Sequence, residues 1–191
     1  MSFFSSGVEY GLHCLLCLVD TKAGASAVST RDIAELQGLP VEFVAKIFTR
    51  LQRANLVTSS AGLHGGFRLA RDAREISVLD VVTAIDGEKS LFECKEIRDR
   101  CAVFEGNAPV WATQGVCSIH AVMLEAEKSM RSVLSACSLA DIAATVQAKA
   151  DPGFGGAVTD WLMHRGTNRR PRKDLTGPHP GEEGDSLVEL S

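Results

Sequence analysis

The chain has 191 residues, a net charge of −4, 45% hydrophobic residues and six cysteines, enough for one apolar core plus appendages. No apolar run approaches the ~18 residues that a bilayer span needs, and Met1-Ser-Phe-Phe-Ser-Ser lacks the basic start and small-residue cleavage site of a secretory signal. A cytoplasmic protein with no membrane association is therefore expected, in a compartment where clustered cysteines bind metal or do redox work rather than form disulfides.

Val8, Leu12, Leu15, Leu16 and Val19 recur at helical spacing after Ser5 and Ser6, which predicts a first helix. Cys14 and Cys17 fall inside its apolar run and are expected in the core, where cysteine behaves as a small hydrophobe. Glu9 and His13, four apart, share one face of the helix. They are either a solvated pair or ligands.

Ser29-Thr-Arg-Asp32 opens a second helix, with Ser29 as N-cap and Asp32 suited to the dipole of the first turn. Gly38 ends it, and Leu39-Pro40 starts a third helix over 41–54. There Phe43, Val44, Ile47, Phe48 and Leu51 form an apolar stripe. The opposite face carries Val41, Glu42, Ala45, Lys46, Thr49, Arg50 and Arg53. Two short helices around a glycine turn, the second polar and basic outside, fit a helix-turn-helix. Residues 29–75 hold seven basic and five acidic side chains, so this segment is positive within an acidic chain. Leu56-Val-Thr-Ser59 and Phe67-Arg-Leu-Ala70 then predict a hairpin around Ala61-Gly-Leu-His-Gly-Gly66, which makes the unit a winged helix. Ser29, Thr30, Val41, Glu42, Lys46 and Arg50 are its candidate DNA contacts, with His64 and Arg68 on the wing. Ser77-Val-Leu-Asp80 caps a fourth helix that ends at Gly87.

The segment from Cys94 to His120 is rich in charge, Gly and Pro, and it holds Cys94, Cys101 and Cys117. Packing gives no reason for three thiols there. Soft-metal coordination does, because thiolates are the ligands that zinc and iron–sulfur clusters select. A long helix follows, in which Ile119, Val122, Ala126, Met130 and Val133 make a candidate dimer seam. Cys137 falls on the same apolar stripe, and Ser138-Leu-Ala-Asp141 caps a last helix to about residue 148. From Asp151 on, seven Gly and four Pro in 41 residues, with Arg169-Arg-Pro-Arg-Lys-Asp174, predict a mostly disordered tail. No phosphate loop, Ser-His-Asp set or pocket-forming carboxylate pair is evident, so an enzyme is not expected.

Several runs together resemble the winged-helix regulators of the IscR, NsrR and RirA type over about residues 1–150. These are Glu9-Tyr-Gly-Leu12, Asp32-Ile-Ala34, Pro40-Val-Glu-Phe-Val-Ala-Lys-Ile47, Leu51-Gln-Arg-Ala-Asn-Leu-Val57, Gly65-Gly-Phe-Arg-Leu-Ala-Arg71 and Ile76-Ser-Val-Leu-Asp-Val-Val-Thr-Ala-Ile-Asp-Gly87, followed by the three later cysteines. The resemblance implies a homodimeric transcription factor on a pseudo-palindromic double-stranded DNA operator, more often a repressor. It also implies an iron–sulfur cluster held by three cysteines that reports iron, nitric oxide or redox state. The fourth ligand is implied at Glu9, at the added His13, or at His120, and 2Fe–2S is preferred over 4Fe–4S. Two departures stand out. Ala61 occupies the wing position where the family usually has Arg, and 15 residues separate Cys101 from Cys117 where five to seven are usual. A cluster-free thiol or small-ligand sensor and a zinc-stabilised interaction module are the alternatives.

The expected architecture is mostly α. Residues 1–87 form a winged helix-turn-helix with a β-hairpin wing, 88–117 the cysteine-bearing loop, 118–150 the dimerisation and terminal helices, and 151–191 the tail.

Overall fold

A computed structural model describes residues 2–19, 27–62 and 65–167. The elements in chain order are α1 (Ser6–Val19), α2 (Thr30–Leu36), α3 (Val41–Arg53), β1 (Val57–Ser60), β2 (Gly66–Leu69), α4 (Val78–Asp86), α5 (Val110–Thr113), α6 (Ser118–Ala136), α7 (Leu139–Lys149) and α8 (Phe154–Thr167), with short 3-10 turns between. The chain is a mostly helical winged helix with one antiparallel hairpin, in which Val57 faces Leu69 and Ser60 faces Gly66.

The core forms where the apolar stripes of α1, α3 and α4 meet. Leu15, Ile33, Val44, Phe48, Leu51, Leu56, Ile76 and Val81 are all buried there. Gly11 lets α1 and α4 cross closely, since a Cβ on it would collide with the Ile85 side chain. Cys14 and Cys17 belong to this core as expected. Burial pushes the Cys14 thiol up to about 12, and burial also raises Cys17, whose sulfur accepts a 3.1 Å hydrogen bond from Gln37 Nε2.

Each helix-turn-helix boundary has a local cause. The Ser29 hydroxyl accepts from the Asp32 amide at 3.1 Å and caps α2. Gly38, at φ +63°, reverses the chain, and the Leu39 amide reaches back to the Ala34 carbonyl at 2.8 Å. Val28 joins the hairpin edge by exchanging 3.0 and 2.8 Å backbone bonds with Phe67.

Two differences from the sequence reading concern the C-terminal half. The helix following α6 does not stand apart with it. The Leu139 amide donates to Ile76 O at 2.9 Å and the Val78 amide to Cys137 O at 2.8 Å, so the starts of α4 and α7 are joined as an antiparallel bridge. Each start carries a capping box, Ser77 with Asp80 and Ser138 with Asp141. Leu139 is fully buried in the winged-domain core, a placement worth about 1.5–3 kcal/mol. The second difference corrects the tail. Phe154–Thr167 is helical despite its glycines, because Leu162 reaches the core with Val158 and Trp161 against it. Arg165 also pairs with Glu35 of α2 while lying 4.4 Å over the Trp161 ring. The run 169–174 lies outside the described residues.

Asp86 ties the N-terminal segment to the end of α4. It accepts from the Ser5 amide at 2.8 Å, the Ser5 hydroxyl at 2.5 Å and Lys89 Nζ at 2.8 Å, with its side chain only 5% exposed. Burial alone raises a carboxylate, but these bonds outweigh it and hold Asp86 below its ordinary range. The linked stability is present above the ordinary carboxylate range and is lost as pH falls through the depressed value. Asp86→Ala should therefore cost about 1–3 kcal/mol near neutral pH. Thermal melts of the two proteins should converge as pH drops below the carboxylate range.

Candidate functional site

The candidate DNA-facing surface is built on α3. Val44, Ile47, Phe48 and Leu51 are buried and turn Val41, Glu42, Lys46, Thr49 and Arg53 outward. The wing is fixed to this helix, since Gln52 Nε2 donates to the Ser59 hydroxyl at 2.9 Å. At the wing base Arg71 donates to Asn55 O and Glu75 O and pairs with Asp80 at 3.3 Å, which joins the hairpin to α4. Arg68 is exposed on β2 and donates to the Thr58 hydroxyl at 3.3 Å. Ser29 and Thr30 are half-buried at the start of α2. His64 lies outside the described residues.

Arg50 differs from the sequence expectation. It sits at the rim of α3 rather than the centre of the outer face, and its Nη1 donates to Ile85 O at 2.6 Å. A cation there also complements the C-terminal dipole of α4. Its partner is a main-chain carbonyl 35 residues away, which no helical periodicity reveals.

The second cluster is a corner at the N-terminus of α6. After α4 the chain runs back along α6. Glu88 pairs with Arg131 at 3.9 Å, the Leu91 amide donates to Glu127 at 3.1 Å, and the Phe92 ring lies 5.9 Å from that of His120. This path carries Cys94 toward Cys117, the N-cap residue of α6. Both sulfurs act on the charge of Arg98, though less than the Glu96 carboxylate does. The Cys117 sulfur makes no capping bond of ordinary geometry, but it faces the free His120 and Ile119 amides. Their field, aided by Arg98, lowers its thiol. Cys101 is exposed at the start of the 3-10 turn Ala102–Phe104. Glu9 and His13 are exposed on α1. Among the described residues no three of His, Cys, Asp and Glu are gathered into a group able to hold a metal ion. The donor types suit a thiophilic centre, and one protomer brings together only part of the set. Arg98 and Glu96 were not singled out from the sequence. Their spacing carries no motif, and only their position inside a Cys-flanked loop marks them.

The predicted seam on α6 divides in two. Met130 is half-buried and lines a small cleft with Leu134, Phe3, Phe4, Leu79 and Val82, against α4. Ile119, Val122, Ala126 and Val133 are exposed, Ile119 by 64%, Val122 by 67% and Val133 by 69%.

The sequence profile of the Rrf2 family, described as "Iron-dependent Transcriptional regulator", matches residues 4–145. The chain belongs to the Rrf2 family. It is 33% identical over 134 residues to the protein rrf2 of Nitratidesulfovibrio vulgaris, covering 70% of this chain and 82% of that one. Among solved structures, T. potens IscR is 27% identical, with a TM-score of 0.57 over 78% of this chain and 93% of that one. CymR of B. subtilis, "the Global Cysteine Regulator", is 21% identical and shares the fold at a TM-score of 0.58 over 79% and 100%. As a member of the Rrf2 family, the chain is a DNA-binding transcriptional regulator. Helix α8 lies beyond the matched segment. Among the described residues no helix is long and apolar enough to cross a membrane.

The two basic residues of α3 should separate experimentally. Lys46→Ala should leave the stability within about 0.5 kcal/mol of wild type, as surface changes do. It should weaken DNA binding and make the dependence of affinity on salt shallower by about one phosphate contact. Arg50→Ala should weaken binding and also lower stability by about 0.5–1.5 kcal/mol through loss of the Ile85 bond. Salt titrations of operator binding, with thermal melts alongside, check both.

Proposed function

We propose that this Rrf2 protein is a homodimeric, DNA-binding repressor whose operator affinity is set by an iron–sulfur cluster at the α6 corner, within the cytoplasm. The single observation that supports this most is the Arg98 fork, which ties Glu96 to Gly115, each two residues from a cysteine, at the N-terminal end of a long helix whose outer face is apolar and exposed. Cys94 and Cys117 would hold the cluster, with Cys101, His120, or Glu9 and His13 of the partner subunit completing the set. Bound there, the cluster supplies a centre whose charge and ligation respond to electrons, nitric oxide or iron supply. An oxygen or nitrogen ligand is displaced from iron more readily than a thiolate. The ligand that joins α1 to the corner would therefore be the first to respond.

The chain itself does the rest. Its α6 links the corner to α4 through Met130 and Leu134, and α4 holds Arg50 of α3 through Ile85 O. A shift of α6 thus changes the separation of two recognition helices, which in a dimer must match half-sites one helical turn, about 34–36 Å, apart. The exposed face of Ile119, Val122, Ala126 and Val133 would form the seam. Val122→Asp should give monomer or insoluble protein, because a charge without a partner in that seam costs several kcal/mol, about the 3–5 typical of buried ions. A wild-type chain that sediments as a monomer at micromolar concentration counts against the dimer.

An absorption spectrum of anaerobically purified protein, with iron and sulfide analysis, tests the central reading. Visible bands with stoichiometric iron and sulfide support it, and a colourless zinc protein overturns it. Cys94→Ala and Cys117→Ala should each strip the cluster. If Cys101→Ala retains a full, unchanged cluster, the set is Cys94 and Cys117 with the α1 residues or His120. Glu9→Ala or His13→Ala should then alter the spectrum and uncouple DNA affinity from redox state. The lowered Cys117 thiol favours a second reading, direct thiol sensing without a cluster. Colourless, metal-free protein whose operator binding still responds to peroxide, and loses that response in Cys117→Ala, would support it.

A further inference from the structure

Arg98 lies in the 3-10 turn Arg98–Arg100 and is tied on both sides of the long insert between the cysteines. Its Nε donates to Glu96 Oε1 at 2.5 Å and its Nη2 to Glu96 Oε2 at 2.8 Å, a two-bond fork to one carboxylate. Nη2 also donates to the main-chain carbonyls of Thr113 at 3.2 Å and Gly115 at 2.9 Å. The side chain is only 21% exposed in a segment that is otherwise largely open. Glu96 itself is held at φ +45°, an uncommon conformation for a residue with a side chain, and Gly115 is at φ +71°. The backbone on each side of the insert is therefore bent to present groups to one guanidinium.

The consequence follows from sequence distance. Cys94 is two residues before Glu96, and Cys117 is two residues after Gly115. Fixing Glu96 against Gly115 fixes the two cysteines against each other, although 22 residues lie between them. The entropic cost of bringing loop ends together grows with loop length, and a chain with this long an insert needs a closure that a short loop does not. The insert has some order of its own, since Phe104 and Trp111 pack edge to face with ring centroids 5.9 Å apart.

We propose that Arg98 is a positioning residue of the cysteine site. It staples the two ends of the 97–114 insert so that Cys94 and Cys117 form one thiol pair, with Cys101 carried on the insert outside that pair. This deepens the ligation reading above and rests on it for the ligand, but the staple itself is a property of the metal-free chain. A lysine keeps the charge and lacks the planar fork that bonds a carboxylate and two carbonyls together.

The full-length, reduced, metal-free chain is compared with Arg98→Ala, Arg98→Lys and Cys101→Ala by hydrogen exchange. Both Arg98 variants should exchange the amides of 113–117 roughly tenfold faster than wild type, with α1 to α4 unchanged, whereas Cys101→Ala should match wild type there. Each chain is then loaded with ferrous iron and sulfide and challenged with a chelator. Iron retention should fall by roughly tenfold or more in both Arg98 variants, in keeping with groups that orient ligands, and the visible circular dichroism of what remains should change. Unchanged exchange in Arg98→Ala overturns the proposal. So does Arg98→Lys restoring both exchange and iron retention to wild type. If the wild-type chain takes up no iron and sulfide, the cluster reading fails, and the exchange comparison alone decides the staple.

Discussion

The antiparallel bridge between Ile76-Ser77-Val78 and Cys137-Ser138-Leu139 is the constraint on which the rest depends. Two main-chain hydrogen bonds hold the starts of α4 and α7 together, each start closed by its own capping box, next to a fully buried Leu139. Everything between, from the end of α4 to the end of α6, is an excursion that must leave and return at one place. The 19 residues of α6 span about 28 Å at 1.5 Å per residue. A helix anchored at its C-terminal end against the core therefore carries its N-terminal end, with Cys117, well away from it. The cysteine corner is remote from the DNA-facing surface along its own chain but joined to it by one stiff element.

That arrangement gives the corner its character. The segment 88–92 lies along α6 and leads toward Cys94, while the amides at the helix N-terminus, aided by Arg98, lower the Cys117 thiol. The same field would favour any anionic thiolate centre. Core cysteines show the opposite physics: burial around Cys14 and Cys17 raises both thiols and leaves them as packing groups. Burial thus raises the two core thiols, whereas the helix N-terminus lowers that of Cys117.

At the other end, α3 is tied to its neighbours on several sides. Gln52 bonds the wing, Arg71 bonds the wing base to α4, and Arg50 bonds the last turn of α4. These polar ties cross the surface between apolar contacts, so helix, wing and α4 move as a unit. On the far side Arg165 of α8 grips Glu35 of α2, an added restraint beyond the segment that the family profile covers.

The sequence by itself determined the winged helix. Apolar spacing, the Ser29 and Ser77 caps, Gly38 and the glycine-rich hairpin turn are local signals, and local geometry is what a helix or hairpin obeys. It also separated Cys14 and Cys17 from the three loop cysteines, because a thiol inside an apolar stripe and a thiol in a charged loop are distinguishable by their neighbours alone. Only the tertiary structure decided the rest. It turned Met130 inward and left Ile119, Val122 and Val133 open, drew α7 into the core, and made α8 a helix in a glycine-bearing stretch. It also assigned Arg50 to a carbonyl and Arg98 to the ends of the insert. The reason is the same in each case: helical period places residues on a face, but which face finds a partner depends on chain brought back from 17 to 130 residues away.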